Sequence, residues 1–224
     1  MSKKMTDIRA NSLDPQHPHG VLLRWIYERG IFPMADAHAG RIEYYSPDPR
    51  GIIPLQPLNA FHVPRNLARE VKRGRFDIRC DTAFEAVMRE CAKARSEDNG
   101  TWMSEALLEG YLELFHTGNA HSVEAWIGSS LVGGLYGVHI GAAFFGESMF
   151  SRPEQGGTNA SKVCLVHLVR WLQRQDFTLL DTQFWNPHLA QFGCIEIPRA
   201  AYLARLEAAI RRPREWGVFQ PLCA

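Results

Sequence analysis

Apolar and polar positions along this chain switch between a helical and a strand-like period, and the switches mark out the elements. Val21–Arg29 (VLLRWIYER) is apolar at helical spacing, and Gly30 suits the left-handed turn that ends a helix. Ile31–Met34 leaves it as an extended segment. Tyr44–Arg50 (YYSPDPR) cannot be helical, because each proline restricts itself and the residue before it. A rigid turn is expected there, feeding a strand at Gly51–Leu55. A second short strand at Phe61–Val63 precedes Pro64, which suits the start of a helix over Arg65–Arg73, ended by Gly74. Phe76–Cys80 reads as a strand. Thr82 and Glu85 have the spacing of a capping box that opens a helix to about Arg95. Ser96–Gly100 is a polar loop, and another helix spans Ser104–His116.

The second half opens with three strands, His121–Ile127, Leu131–Val138 and Ala142–Gly146, joined by Gly-Ser-Ser and Ile-Gly turns. Connections this short require antiparallel neighbours. A loop rich in proline and glycine, Arg152–Thr158, leads into Asn159–Gln173, whose broad apolar face predicts a well-buried helix. Thr178–Leu180 is a buried strand ending at Asp181. A short helix at His188–Phe192, a break at Gly193, a strand at Cys194–Ile197 and a last helix from Pro198 to about Arg211 follow. In the tail, Arg212–Ala224, Trp216 and Phe219 are expected against the body. The expected fold is α/β (α+β), a mixed, largely antiparallel sheet flanked by helices, and its element order resembles the GNAT-type acyltransferase core. Residues 1–63 would form an N-terminal segment and small lobe, and 64–224 the larger catalytic domain. Polar groups just past an apolar strand end tend to face a crevice, so Glu147, Asp181, Gln183 and Asn186 are expected to converge.

Twenty-five basic residues stand against 24 acidic ones, so no global field recruits nucleic acid, and any such contact needs a local patch. Arg65, Arg69, Lys72 and Arg73 occupy neighbouring positions on one helix, with Arg75 and Arg79 close behind. From the residues alone this is either a solvated face or a phosphate-binding one. Five scattered cysteines, an odd number without metal-binding spacing, point to free thiols in a reducing compartment and to no metal. Met1–Asn11 has lysines but no apolar segment behind them, and Leu131–Gly146 is too broken by glycine to span a bilayer. A soluble cytoplasmic protein without a membrane partner is the expectation.

Several motifs then fall in order over roughly Tyr27–Tyr202: R-G-I-F-P, Y-S-P-D-P-R, G-T-W, H-S-V-E-A-W, L-V-G-G-L-Y-G-V, G-E-S-M-F-S, N-A-S-K, L-x-D-x-Q-x-x-N and G-x-x-E-I-P-R. Together they resemble the bacterial leucyl/phenylalanyl-tRNA–protein transferases. The resemblance implies the GNAT-like fold and a monomer that needs no cofactor. It implies transfer of Leu, Phe or Met from charged tRNA to the α-amine of proteins beginning with Arg or Lys, which marks them for N-degron degradation. Chemically this is ester aminolysis, which requires positioning of the amine, removal of a proton and stabilisation of an oxyanion.

By the same resemblance Asp181 and Gln183 handle the incoming amine, and Glu147 binds the donor's amino-acid end or its α-amine. Trp102 and Asn186, joined by Tyr27, lie near the terminal adenosine. Phe144, Met149 and Leu180 line the pocket for the donor side chain, and Arg65, Arg69, Lys72 and Arg73 meet tRNA phosphates. Read from the residues, Asp181 equally suits a turn cap, and the three apolar residues equally suit a core. Met34 departs from the pattern, which carries Trp after G-I-F-P, and Arg152–Thr158 is longer than usual. The rival readings are a coenzyme-A-dependent N-acetyltransferase and a non-catalytic RNA-binding module. Gln155–Ala160 matches the pyrophosphate loop of the first poorly, and the second leaves D-x-Q and G-E-S-M-F unexplained.

Overall fold

The structure, a computed structural model, describes residues 14, 16–36, 41–99 and 103–222. Its elements in chain order are α1 (Gly20–Tyr27), β1 (Phe32–Asp36), β2 (Arg41–Tyr45), β3 (Arg50–Ile53), α2 (Arg65–Arg73), β4 (Asp77–Cys80), α3 (Phe84–Asn99) and α4 (Glu105–His116). They continue with β5 (Ala120–Ile127), β6 (Ser130–Ile140), β7 (Ala143–Ser151), α5 (Ala160–Arg174), β8 (Leu179–Gln183), α6 (Pro187–Ala190), β9 (Ile195–Ile197) and α7 (Arg199–Ile210).

Seven strands form one sheet in the order β4-β5-β6-β7-β8-β3-β9, and β1 and β2 form a separate hairpin. Every neighbour pair in the large sheet is antiparallel except β7–β8, which α5 connects as a crossover. The fold class expected from the sequence is therefore the one observed. Two apolar clusters sit on opposite faces of the sheet. Leu22, Leu23 and Ile26 of α1, Val87 and Met88 of α3, Leu107 and Tyr111 of α4, and Tyr202 and Leu206 of α7 cover one face. On the other, Leu67 of α2, most of the buried side of α5, and Trp216 form the second cluster. The segment before Pro64 supplies the β1–β2 hairpin, and it also supplies β3, which pairs between β8 and β9.

Local expectations fail where a distant partner overrides the local signal. Phe61–Val63 is not a strand: the His62 amide bonds to the Phe192 carbonyl at 3.1 Å, and Phe61 stacks on Phe192. Tyr44 and Tyr45 belong to β2, so the turn starts at Ser46. Helix α3 runs through Ser96 to Asn99, where a loop was expected. Its start is capped from across the fold. The buried Glu124 carboxylate of β5 accepts from the amides of Thr82 (2.9 Å) and Ala83 (2.8 Å), the Ser122 hydroxyl (2.9 Å), Trp126 Nε1 (3.0 Å) and the Thr82 hydroxyl. Glu85, the expected box partner, pairs with Arg89 instead. An anion at a helix start is favoured by the axial dipole, and five donors satisfy a charge that burial would otherwise penalise. The expected docking of the tail is observed. Trp216 stacks on His121 with ring centres 4.0 Å apart, and Phe219 packs on Trp171.

Candidate active site

The site lies where β7 and β8 part. Their register ends at Phe145↔Asp181. Just beyond, both strands carry an extra residue. Gly137↔Gly146 is followed by Tyr136↔Ser148, leaving Glu147 as the bulge in β7, and Gly51↔Gln183 against Ile52↔Asp181 leaves Thr182 as the bulge in β8. Bulges bend strands and re-aim side chains, and here they open the sheet. The resulting cavity of about 540 Å³ is mostly apolar, with Leu135, Met149, Leu165, Leu168 and Leu180 among its walls and Glu147, Gln183 and Asn186 as polar points.

Asp181 is fully buried and both its oxygens are occupied. Arg50 grips it with two bonds, Nε to Oδ1 at 2.9 Å and Nη2 to Oδ2 at 2.6 Å. Tyr202 donates its hydroxyl to Oδ2 at 2.7 Å, and the Gln183 amide reaches Oδ1 at 2.8 Å. Arg50 lies between the rings of Phe32 and Tyr202 and donates its remaining arm to the Gly30 carbonyl at 3.1 Å. Burial disfavours the charge on Arg50, but Asp181 and its hydrogen bonds outweigh that and hold the guanidinium pKa above its usual value. Burial, and then the Asp181 charge, pushes the Tyr202 hydroxyl well above its ordinary range. Removing one member of such a pair leaves a buried charge alone, at about 3–5 kcal/mol. Asp181 does not line the cavity; its bond to the Gln183 amide links it to a residue that does.

Gln183 has φ +64°, an uncommon conformation for a residue with a side chain. The bond from its amide to Asp181 fixes that turn, and the chain then doubles back across β3. Gly51 makes room: a Cβ there would lie 2.6 Å from the Phe184 carbonyl carbon and 2.7 Å from the Trp185 nitrogen. The turned Gln183 donates Nε2 to Glu147 Oε1 at 3.0 Å, which leaves its carbonyl oxygen as the free end of the amide. Tyr111 donates to Glu147 Oε2 at 3.1 Å, and the Tyr27 and Tyr111 hydroxyls meet at 2.6 Å. Burial raises the Glu147 carboxyl from 4.5 to about 7, against the lowering by hydrogen bonds from Tyr27, Tyr111 and Gln183.

Of the residues expected in the site, Glu147, Gln183, Asn186, Met149 and Leu180 line the cavity, and Met34 does so as well. Asn186 also caps α6, accepting from the Leu189 amide at 2.8 Å. Tyr27 has no exposed surface on which a base could stack; it packs on Phe145 and joins the hydroxyl chain behind Glu147. Phe144 is likewise fully buried: it shares the α5 side of the sheet with the cavity walls but is covered by Trp216, on which it stacks, and does not line the cavity. Trp102 lies outside the described residues. Arg65, Arg69, Lys72 and Arg73 are exposed on α2, which packs on α5, and Arg79 is tied to Asp77. Arg50, Tyr111 and Tyr202 carry the network without having been singled out. Arg50 closes Y-S-P-D-P-R, a motif whose prolines read as a turn and whose arginine gave no sign of a partner 131 positions on.

A mixed sheet that splits over an apolar cavity, with a carboxylate–carboxamide pair at its edge, suits an enzyme that holds an acyl group beside an incoming nucleophile. The family model for leucyl/phenylalanyl-tRNA protein transferase matches residues 55–207. A leucyl/phenylalanyl-tRNA–protein transferase of Paramagnetospirillum magneticum is 54% identical over 190 residues, covering 84% of this chain and 88% of its own. One from Phenylobacterium zucineum is 52% identical over 191 residues, covering 85% of this chain and 83% of its own. The chain belongs to this family, and it is therefore an aminoacyltransferase. Among solved structures, a ribosomal-protein-alanine N-acetyltransferase from Brucella melitensis aligns with 51% of this chain and 85% of its own at 15% identity and a TM-score of 0.36. L-PGS from Bacillus licheniformis aligns with 78% of this chain and 56% of its own at 13% identity and 0.41. Likeness at this level carries no argument about the site.

The raised pKa of Glu147 has a stability consequence. A carboxyl with a raised folded-state pKa favours folding fully below its unfolded value of 4.5, and that contribution is lost as pH rises through about 7. Glu147→Gln removes the dependence. In urea unfolding from about pH 5 to about pH 8, the stability of Glu147→Gln relative to the parent should rise, by up to roughly 1.4 kcal/mol per unit of displacement. A gap that does not change with pH would mean that the carboxyl titrates as if in water.

Proposed function

We propose that this chain transfers Leu, Phe or Met from the 3′ end of charged tRNA to the α-amine of proteins beginning with Arg or Lys, marking them for N-degron degradation. In this reading it acts in the cytoplasm as a monomer without a cofactor. Within residues 1–63, α1 and the β1–β2 hairpin serve as the small lobe, while β3 belongs to the sheet of residues 64–224. The observation that carries the reading is Gln183, fixed by Asp181 from behind and by Glu147 from the side, with its amide oxygen free at the edge of an apolar cavity. An amide oxygen held this way can orient an amine, and the cavity suits an apolar donor side chain.

In the step proposed, the acceptor amine approaches the ester carbonyl with Gln183 Oε1 accepting one of its hydrogens. The new C–N bond forms as the bond to the ribose 3′-oxygen breaks. The amine sheds one proton and the departing oxygen gains one, so the protein needs only to hold a proton between them. Glu147 takes that place, because its pKa of about 7 allows it to gain and lose a proton near neutrality. Asp181 is a positioning residue here, since the charge of Arg50 already neutralises it. Asn186 and Met34 flank the terminal nucleoside, and the exposed arginines and lysine of α2 meet tRNA phosphates.

Three measurements test this. Leu-, Phe- and Met-tRNA should each donate to an Arg-initiated peptide, and Ile- and Arg-tRNA should donate poorly. One methylene is worth about 1–3 kcal/mol in an apolar pocket, so Ile must be excluded by shape. Efficient transfer from Ile- or Arg-tRNA would overturn the assignment of Met149 and Leu180 to the donor pocket. The pH profile of kcat/KM should show a limb near 7 that Glu147→Gln abolishes; a limb that survives that substitution assigns the proton to another group. For α2, each lost phosphate contact should flatten the log–log salt dependence of tRNA affinity by roughly 0.7–0.9. An unchanged slope in Arg69→Ala/Arg73→Ala would make α2 a solvated face.

A further inference from the structure

A hydroxyl beside Glu147 takes no part in the network around Gln183. Ser148 lines the cavity and is 8% exposed, and its buried Oγ has no hydrogen-bond partner among the described residues. The bulge in β7 sets which way it points. Ser148 lies directly across from Tyr136 of β6, and residues opposed in this way share a face of the sheet. The Tyr136 ring packs edge-on against Tyr111, with centres 5.7 Å apart, and Tyr111 donates to Glu147. Glu147 and Ser148 therefore reach the same face, which regular alternation along a strand forbids and a bulge allows. They stand side by side without bonding to each other. Other polar groups of the cavity wall are committed: Gln183 Nε2 to Glu147, Thr182 Oγ1 to Cys194 Sγ at 3.4 Å, and the Ser151 hydroxyl to Ser161 at 2.9 Å. A buried hydroxyl without a bond is costly, and an acceptor entering the cavity removes that cost.

We propose that the Ser148 hydroxyl donates to the acyl oxygen of the aminoacyl ester as that oxygen takes up negative charge. The inference rests on the reaction proposed above and adds its oxyanion donor. When the amine held by Gln183 adds to the carbonyl carbon, the C–N bond forms and the π pair of the C=O bond moves onto oxygen. The oxyanion then accepts from Ser148 Oγ–H. As the C=O bond re-forms, the pair of the C–O bond leaves with the ribose 3′-oxygen, which gains the proton that the amine sheds. Ser148 keeps its own hydrogen throughout. A neutral hydroxyl fixed before the reaction stabilises charge that develops only in the transition state, which lowers the barrier rather than tightening ground-state binding.

The test follows single-turnover transfer from Leu-tRNA to an Arg-initiated peptide. Ser148→Ala should lower the rate constant about a hundredfold, the usual loss for one oxyanion donor, and Ser148→Thr, which keeps the hydroxyl, should restore most of it. The pH limb assigned to Glu147 should survive in Ser148→Ala. Two analogues of leucyl-adenosine that cannot react separate the roles further: one has a planar amide, the other a tetrahedral phosphonate whose oxygen carries negative charge. In Ser148→Ala the preference for the phosphonate over the amide, read as a ratio of Kd values, should fall about tenfold, as for one hydrogen bond to a charged group. Because this readout is a ratio, partial misfolding of a variant cancels. An unchanged preference overturns the proposal, and so does an equal weakening of both analogues, which would make Ser148 a ground-state contact. A pH limb lost with the hydroxyl would mean that Ser148 acts through Glu147, and overturns it as well. The analogue ratio decides the contact even if the parent transfers nothing; absence of transfer would instead overturn the reading of the reaction.

Discussion

The bidentate bond between Arg50 and Asp181 is the constraint on which the rest of the site depends. Both partners are shut off from water, so the arrangement is stable only with every donor and acceptor satisfied. Meeting that condition draws in four separate parts of the chain: the Gly30 carbonyl after α1, the Phe32 ring of β1, the Tyr202 hydroxyl of α7, and the Gln183 amide at the end of β8. Gln183 is the member that projects outward. Its backbone is turned into an unusual conformation to satisfy a buried oxygen, and that turn aims its side chain at Glu147. A requirement of burial thus sets the direction of a group at the edge of the cavity.

The cavity itself comes from a mismatch between strands. A parallel pair held in register through Phe145 and Asp181 cannot remain paired once each strand gains one residue against its other neighbour. The gap is lined by aliphatic side chains from β7, β8 and α5, which favours an apolar occupant, and the polar groups are gathered at one edge. Gly51 matters for the same reason. The returning chain at Phe184 and Trp185 crosses β3 so closely that any side chain there would displace it.

Charge is divided in a consistent way. The buried ionic groups, Arg50, Asp181 and Glu124, are saturated with partners and serve the frame. Glu147 differs: burial raises its carboxyl to a pKa of about 7, only partly offset by hydrogen bonds from Tyr27, Tyr111 and Gln183. The exposed cations of α2 have no acidic partners among the described residues, so their charge is available to an anion. A chain of nearly zero net charge can therefore still present local fields of the sign a nucleic acid requires.

Much of this protein was legible in the order of its residues. Apolar periodicity located α1, α4, α5 and the meander β5–β7, because each buries one regular stripe or face, while proline and glycine punctuation located α2 and α7. Short turns determined their antiparallel pairing, and the placement of Glu147, Gln183 and Asn186 past apolar runs marked the edge of a crevice. The ordered motifs determined the family. Other features depend on partners far away in sequence. Whether Asp181 faces a ligand or an arginine is decided by Arg50, and the start of α3 is decided by Glu124 rather than by Glu85. Tyr27 and Phe144 have the composition of binding residues but are enclosed, since burial depends on what covers a ring and not on the ring itself. Local signals determine elements because their hydrogen bonds close within a few residues. The site formed only in three dimensions, where buried charges had to find partners that no local spacing could supply.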